Sequence, residues 1–426
     1  MSRATVRPGR PLRGEASLPG DKSITQRAIL LGALAPGTTT IRGANPGADA
    51  ASALGIVRAL GSAVRRGRAG ELVVRGGMFR EPERLLDARN SGTSLRLTTG
   101  LLAAQPFLSI LTGDASLRRR PVDRVLLPLR LLGADISARA GDRLAPVVVR
   151  GRPLRGADID TGVPSAQVKS AILVAAIQAE GTTVVREPAE TRDHTERMLP
   201  LFGVPVRRDG LAISVPGGAP LHGAEIDVPG DASAAAFLAA AAAIVPGSDL
   251  LLRGVGVNPT RRAFFDLLVR AGADVSMHDE REAGHEPVAD VRVRHRELRP
   301  IEIGAEEIPG LIDELPLVAI LSALARGVST VRGARELRVK ESDRISAVTD
   351  ALRAIGGTIE EREDGWSIEG TGRLRGGSVE TRGDHRIAMA FLVAGLRATE
   401  GVTVDDASPA AVSDPEFLTR LRRLVR

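Results

Sequence analysis

Lys340, Glu341, Asp343 and Arg344 fall within five consecutive positions, a mixture of cations and carboxylates that a merely solvated turn does not need. Related clusters stand elsewhere along the chain. Lys22 lies in Pro19-Gly20-Asp21-Lys22-Ser23, five residues before Arg27. Arg96 follows Asn90-Ser91-Gly92-Thr93, and Arg118-Arg119-Arg120 is the longest basic run. Ser165-Ala166-Gln167, Asp313-Glu314 and Gly383-Asp384-His385-Arg386 complete the set. Guanidinium forks grip carboxylates and phosphates, while a carboxylate beside an ammonium can move a proton. The chemistry these residue types offer is therefore the binding of small anions coupled to proton transfer.

The lysines sharpen this reading. The 426 residues include 58 basic ones, and only Lys22, Lys169 and Lys340 are lysines. Where Arg has displaced nearly all Lys, a surviving Lys marks a site wanting a compact, mobile ammonium rather than a flat fork. Lys22 and Lys340 sit in polar motifs that fit this role. Lys169 lies outside such a cluster and reads as an accident of composition.

Bulk composition bounds the class. A chain of this length exceeds one ordinary core, so two domains are expected. No apolar run approaches the roughly 18 residues of a membrane span. The N-terminal segment has arginines but no apolar stretch, which argues against a secretory signal. The absence of Cys excludes disulfides, thiolate metal sites and a Cys nucleophile. A soluble, cytoplasmic protein is expected. The formal charge of +6 favours anionic partners. One Trp, no Tyr and eight Phe leave few platforms for stacking bases, so nucleic acid is not the expected partner.

The elements that must position these clusters form a repeat. Gly37–Gly43, Gly181–Arg186 and Gly327–Gly333 are versions of one turn-and-strand segment, with looser copies at Phe107–Gly113, Gly247–Gly254 and Gly401–Asp405. Each follows an apolar helix. A second helix then ends at Gly61, Gly133, Gly203, Gly272 or Gly356, as expected of a left-handed C-terminal cap. Two short alternating segments follow, such as Val204–Arg208 and Leu211–Val215, and read as a hairpin. The unit is β-α-β-α-β-β with a period of roughly 70 residues, repeated six times.

The sixth copy ends after its second helix, near Pro415–Arg426. Thr5–Arg7 and Leu12–Leu18 read as strands, so residues 1–20 are expected to complete it. This gives two α/β domains of three units, one spanning 21–228 and the other 1–20 with 229–426. The crossings, near 19–22 and 228–231, share Pro-Gly-Asp followed by Lys-Ser or Ala-Ser and read as hinges. The polar clusters open the first helix of each unit. Ser, Asn and Asp at such positions are ordinary caps taken singly. Gathered on one face of a domain, six helix starts would make an anion site.

The segments Gly20–Arg27, Asn90–Arg96, Gly113–Pro121, Pro164–Ser170, Arg338–Arg344 and Gly383–Arg386 resemble 5-enolpyruvylshikimate-3-phosphate synthase in order and over essentially the whole chain. The resemblance implies two inside-out α/β barrels, each of three β-α-β-α-β-β units, closing on substrates between them. It implies a monomeric transferase of the shikimate pathway, which makes chorismate for aromatic amino acids. The enolpyruvyl group of phosphoenolpyruvate would pass to the 5-hydroxyl of 3-phosphoshikimate with release of phosphate, by addition and elimination, without cofactor or metal.

Matched position by position, Lys22, Ser23, Arg27, Ser165, Ala166 (through its backbone), Gln167, Arg192, Asp313 and Lys340 would hold 3-phosphoshikimate, with Thr191 beside Arg192. Lys22, Gly92, Arg120, Gln167, Arg344 and Arg386 would meet phosphoenolpyruvate. Asp313 would accept the hydroxyl proton and Glu341 would share in proton transfer, with Lys22 and His385 close by. An unsubstituted Gly92 implies ordinary sensitivity to glyphosate. Glu336 stands where many relatives carry Asn, and no ligand contact is assigned to the loop of Val412 and Asp414.

Two other readings stay open on the sequence. A sister enzyme transfers enolpyruvyl to UDP-N-acetylglucosamine on the same fold, generally through a loop Cys that this chain lacks. A non-catalytic scaffold for polyanions would instead spread its basic residues over one face and bind with a steep dependence on salt.

Overall fold

The computed structural model describes residues 2–425. The chain forms two compact units. One takes the chain up to Pro19, then Pro229–Glu282 and the chain from Pro287 onward; the other takes Gly20–Val228 with Ala283–Glu286. Each has its own apolar core, one built from residues between Ala4 and Leu421, the other from residues between Ile24 and Ile226.

Five four-stranded sheets repeat one order. In the first, Glu225–Asp227 pairs in parallel with Gly37–Arg42, which pairs antiparallel with Leu72–Gly76 and through it meets Ala63–Arg66. The sheets of Leu108–Thr112, Thr182–Arg186, Asp249–Gly256 and Arg326–Val331 follow the same plan. In each, the hairpin's second strand lies inside and its first strand at the edge. The α/β repeat expected from the sequence is thus present, with shifts of a few residues. The hairpin placed at Val204–Arg208 and Leu211–Val215, for example, forms between Arg207–Asp209 and Ala212–Pro216. The five helix-ending glycines all take positive φ, from 89° at Gly356 to 99° at Gly61.

The layering is inside-out. All 13 residues of the Ala232–Ile244 helix are buried, as are all 11 of Gly92–Leu102 and all 10 of His385–Ala394. Ala232–Ile244, covered on every side, is apolar almost all round, whereas Gly92–Leu102 also buries Thr93, Ser94, Thr98 and Thr99. The sheets lie outside with one face inward, so Leu144–Arg150 alternates between deeply and partly buried positions. Among the described residues, no helix is long and apolar enough to cross a membrane.

Residues 1–20 do not simply complete the sixth copy. Ala4–Val6 does so, pairing antiparallel with Val402–Val404. Arg13–Ser17 instead runs parallel to Asp249–Arg253 in the sheet of the fourth copy. The cause is an exchange of first strands. The strand that precedes the Ala232 helix in sequence, Glu225–Asp227, pairs with Gly37–Arg42. The edge it leaves open is filled by Arg13–Ser17, which precedes the Lys22 helix. At the first crossing the backbone is tightly packed: a Cβ on Gly20 would lie 1.8 Å from the Gly43 carbonyl oxygen. Only glycine fits there.

Central helices approach closely where small residues face each other. A Cβ on Gly100 of the Gly92 helix would sit 2.1 Å from the backbone oxygen of Ala171 in the Ala166–Ala176 helix. Backbone cannot yield as a side chain can. Gly100→Ala should therefore force the two helices apart and cost about 1–3 kcal/mol. A urea titration read by far-ultraviolet circular dichroism should show a lowered midpoint, and an unchanged midpoint would contradict this packing.

Candidate active site

The helix starts are built by their caps. Asp21 accepts from the Ile24 amide at 2.9 Å, Ser91 from Ser94 at 3.1 Å and Ser165 from Val168 at 3.5 Å. In the other unit Asp231 accepts from the Ser233 amide at 2.7 Å and Asp384 from Arg386 at 2.9 Å. Each cap satisfies amides that the helix leaves unpaired. The Asp313-Glu314 start differs. Glu314 makes no side-chain cap, and its carboxylate accepts from the Ser233 hydroxyl instead. Proline at position 316 supplies a helix start that lacks one of the orphaned amides.

In the Gly20–Val228 unit, two groups of the expected residues assemble. Lys22 Nζ lies 3.2 Å from Asp49 Oδ2, and both side chains are largely buried. Arg27 is buried and donates to the Ser23 carbonyl at 3.0 Å, the Ser170 hydroxyl at 2.8 Å and the Thr195 hydroxyl at 2.8 Å. Burial, only partly offset by Glu196 and Asp21, pulls its pKa down to about 10. Arg27 thus ties three helices while remaining a cation at neutral pH.

The second group surrounds Gln167. Its Oε1 accepts from Arg96 NH1 at 2.5 Å and its Nε2 donates to Thr93 Oγ1 at 2.9 Å. A Cβ on Gly92 would meet Arg96 NH1 at 2.7 Å and Arg120 NH1 at 3.7 Å, so Gly92 lies between two guanidiniums. Arg120 is buried and donates to Asn90 Oδ1 at 2.6 Å. Arg118 and Arg119 are exposed on a 3-10 turn, Leu117–Arg119. Arg96, not among the expected ligand contacts, joins Gln167 to the Pro121 carbonyl, to which its NH2 donates at 3.0 Å. Its place one turn into the helix was the available signal.

In the other unit Arg344 is the centre. Its side chain is 1% exposed, and Asp384 is fully buried. Arg344 Nε donates to Asp384 Oδ2 at 2.8 Å, and NH2 donates to Glu341 Oε2 at 2.7 Å. Asp313 Oδ1 lies 3.6 Å from Arg344 NH1, and Asp313 Oδ2 lies 3.8 Å from Arg386 NH2. Burial opposes the charge on Arg344, but Asp384, Glu341 and Asp313 outweigh it and raise its pKa. Burial likewise opposes ionisation of Asp384, and Arg344 overcomes that to hold the carboxyl below its ordinary range. His385 Nδ1 is 3.9 Å from Asp384.

Lys340 adds an adjustable cation. Its Nζ lies 3.6 Å from Glu336 Oε1. Burial lowers its pKa, opposed by Glu336 and Asp313. Arg386 also reaches Glu314 at 3.4 Å and stacks 5.8 Å above the Phe237 ring, which fixes its fork. Asp414, in the C-terminal loop, is engaged by Arg420 at 2.6 Å. The Gly20–Val228 unit therefore carries two polar groups at helix starts, one around Arg27 and one around Gln167, and the other unit carries one, in which the Arg344 and Arg386 forks stand beside carboxylates.

The Arg344–Asp384 pair has a pH signature. A carboxyl with a depressed folded pKa stabilises above its ordinary value and loses that contribution as pH falls through the depressed one. Asp384→Asn keeps the helix cap but removes the charge facing a buried guanidinium, a loss of about 3–5 kcal/mol. In denaturant titrations the gap between the parent protein and this variant should be full at pH 7 and shrink below about pH 4. A gap independent of pH would refute the pairing.

Similarity to known proteins agrees with this architecture. The profile of a family described as EPSP synthase (3-phosphoshikimate 1-carboxyvinyltransferase) matches residues 6–421. A protein of Anaeromyxobacter sp. (strain Fw109-5) named 3-phosphoshikimate 1-carboxyvinyltransferase is 54% identical, over 98% of this chain and 97% of its own. One of the same name from Geobacter sulfurreducens is 50% identical over 98% of both chains. The solved EPSP synthase of Acinetobacter baumannii superposes with a TM-score of 0.88 at 42% identity, covering 99% of this chain and 98% of that one. The enolpyruvyl transferase NikO of Streptomyces tendae shares the fold, with a TM-score of 0.80 at 18% identity over 98% and 96% of the two chains. The chain belongs to the EPSP synthase family.

Proposed function

We propose that the protein transfers the enolpyruvyl group of phosphoenolpyruvate to the 5-hydroxyl of 3-phosphoshikimate, releasing phosphate. The observation that carries this reading is the assembly of Asp313, Glu341, Lys340, Arg344 and Arg386 in one unit. It supplies carboxylates for proton transfer next to forks suited to a carboxylate and a phosphate. Of the residues assigned to the acceptor, Lys22, Ser23, Arg27, Ser165, Ala166, Gln167 and Arg192 belong to the Gly20–Val228 unit with Gly92 and Arg120, whereas Asp313 and Lys340 belong to the other.

In the proposed reaction Asp313 takes the proton of the attacking hydroxyl. Its carboxylate stands between the guanidiniums of Arg344 and Arg386. Glu341 is hydrogen-bonded to Arg344 and shares in protonating the methylene carbon, with Lys22 and His385 assisting. Elimination from the tetrahedral adduct then returns a methyl proton to the group that supplied it, while the hydroxyl proton taken by Asp313 leaves with the phosphate, so both groups are restored. The buried guanidiniums stay charged throughout and stabilise the leaving phosphate.

Purified protein should release phosphate from phosphoenolpyruvate only when 3-phosphoshikimate is present. Asp313→Ala should lower kcat by about 100-fold or more. Phosphate release that ignores 3-phosphoshikimate would sink the substrate assignment. Near-normal turnover by the variant would remove Asp313 from its role.

A further inference from the structure

Lys169 is not an accident of composition. Its side chain is wholly buried, two residues past Gln167 on the Ala166–Ala176 helix. An ammonium has three N–H groups. Here Nζ meets Glu196 Oε1 at 2.6 Å, Glu187 Oε2 at 2.7 Å and the Thr191 carbonyl oxygen at 3.3 Å. The Thr191 hydroxyl in turn donates to Glu187 Oε1. The loop that carries Thr191 and Arg192 is therefore fastened at its beginning, its middle and its far side to one nitrogen.

That nitrogen rides on the helix whose start presents Ser165, Ala166 and Gln167. The Lys169 amide also bonds to the Ser165 carbonyl at 3.0 Å. A second tie runs from Arg27 to Thr195 and Ser170, whose hydroxyls are 2.7 Å apart. Arg could not replace Lys169. A planar fork cannot converge three donors on one small space. This explains a lysine kept in a chain that uses Arg nearly everywhere else.

We infer that Lys169 is a positioning residue, one that holds the Thr191-Arg192 loop in register with the Ser165–Gln167 helix start and so sets the grip on the phosphate of the acceptor. The inference rests on the function proposed above. Lys169 touches no substrate and acts through Arg192. Its loss should therefore weaken one substrate and spare the other.

The test is steady-state phosphate release by the full-length protein, varying each substrate in turn. Lys169→Met should raise KM for 3-phosphoshikimate about tenfold, the loss of roughly one well-placed contact, while KM for phosphoenolpyruvate stays within about twofold. Glu187→Gln, which keeps Lys169 paired with Glu196, should shift the same constant in the same direction and guards against a Met variant that fails to fold. In an Arg192→Ala background, adding Lys169→Met should change KM for 3-phosphoshikimate by less than about twofold, because the two residues act in series. Equal shifts in both KM values, unchanged KM values despite lowered stability, or full additivity with Arg192→Ala would overturn the inference. Absence of turnover by the parent protein would sink the proposed function and the inference with it. Turnover by the parent protein with an unsplit KM would sink the inference alone.

Discussion

A helix covered on every side can present chemistry only at its ends. That constraint orders this protein. The Gly92, Ala232 and His385 helices are buried along their whole length, and their charged side chains fall within the first turn or so. There, unpaired amides and positive dipole ends favour anions. The sheets outside are the structural cost of the plan, since they must wrap the helices that would ordinarily wrap them. Close contacts such as Gly100 against Ala171 bring helix starts near enough for Arg96 to reach Gln167.

Concentrating cations at buried helix starts creates a second requirement. Each must be met by carboxylates or by enough fixed dipoles to stay charged. Arg344 is met by Asp384, Glu341 and Asp313, whereas Arg27 relies on hydroxyls and a carbonyl. The two respond oppositely. Carboxylates raise the pKa of Arg344, while burial with no direct carboxylate partner lowers that of Arg27. Lys340 falls on the lowered side as well, which places a more readily deprotonated group beside Asp313 and Glu341.

The repeat was legible because its signals are local. Cap residues at Asp21, Ser91, Ser165, Asp231 and Asp384, and glycines closing the second helices, each act within a few residues of the chain. The polar clusters were legible because their residue types exceed what a cap needs. What escaped the sequence was set by distant pairing. Nothing local to Arg13–Ser17 shows that it pairs with Asp249–Arg253 rather than joining Ala4–Val6. Glu314 looked like part of a helix start, but Ser233, which it engages instead, is 81 positions away. Lys169 was passed over because Glu187 and Glu196 reach it only through the fold. Its one visible signal was a lone charge inside the run Val168–Ala176.

The exchanged first strands bear on how the polypeptide matures as it leaves the ribosome. Everything the Gly20–Val228 sheets require, including Glu225–Asp227, has emerged once residue 228 is out, so those sheets can form before Ala283–Glu286 joins the unit. The other unit must wait. Ala4–Val6 and Arg13–Ser17 are synthesised first, yet their partners are Val402–Val404 and Asp249–Arg253. At translation rates of about 5–20 residues per second, the opening segment waits tens of seconds for its final mate. Until then it carries unsatisfied strand edges, the kind of surface on which nascent chains stick together. Arg3, Arg7, Arg10 and Arg13 precede the first crossing, and charged side chains of this kind oppose edge-to-edge association.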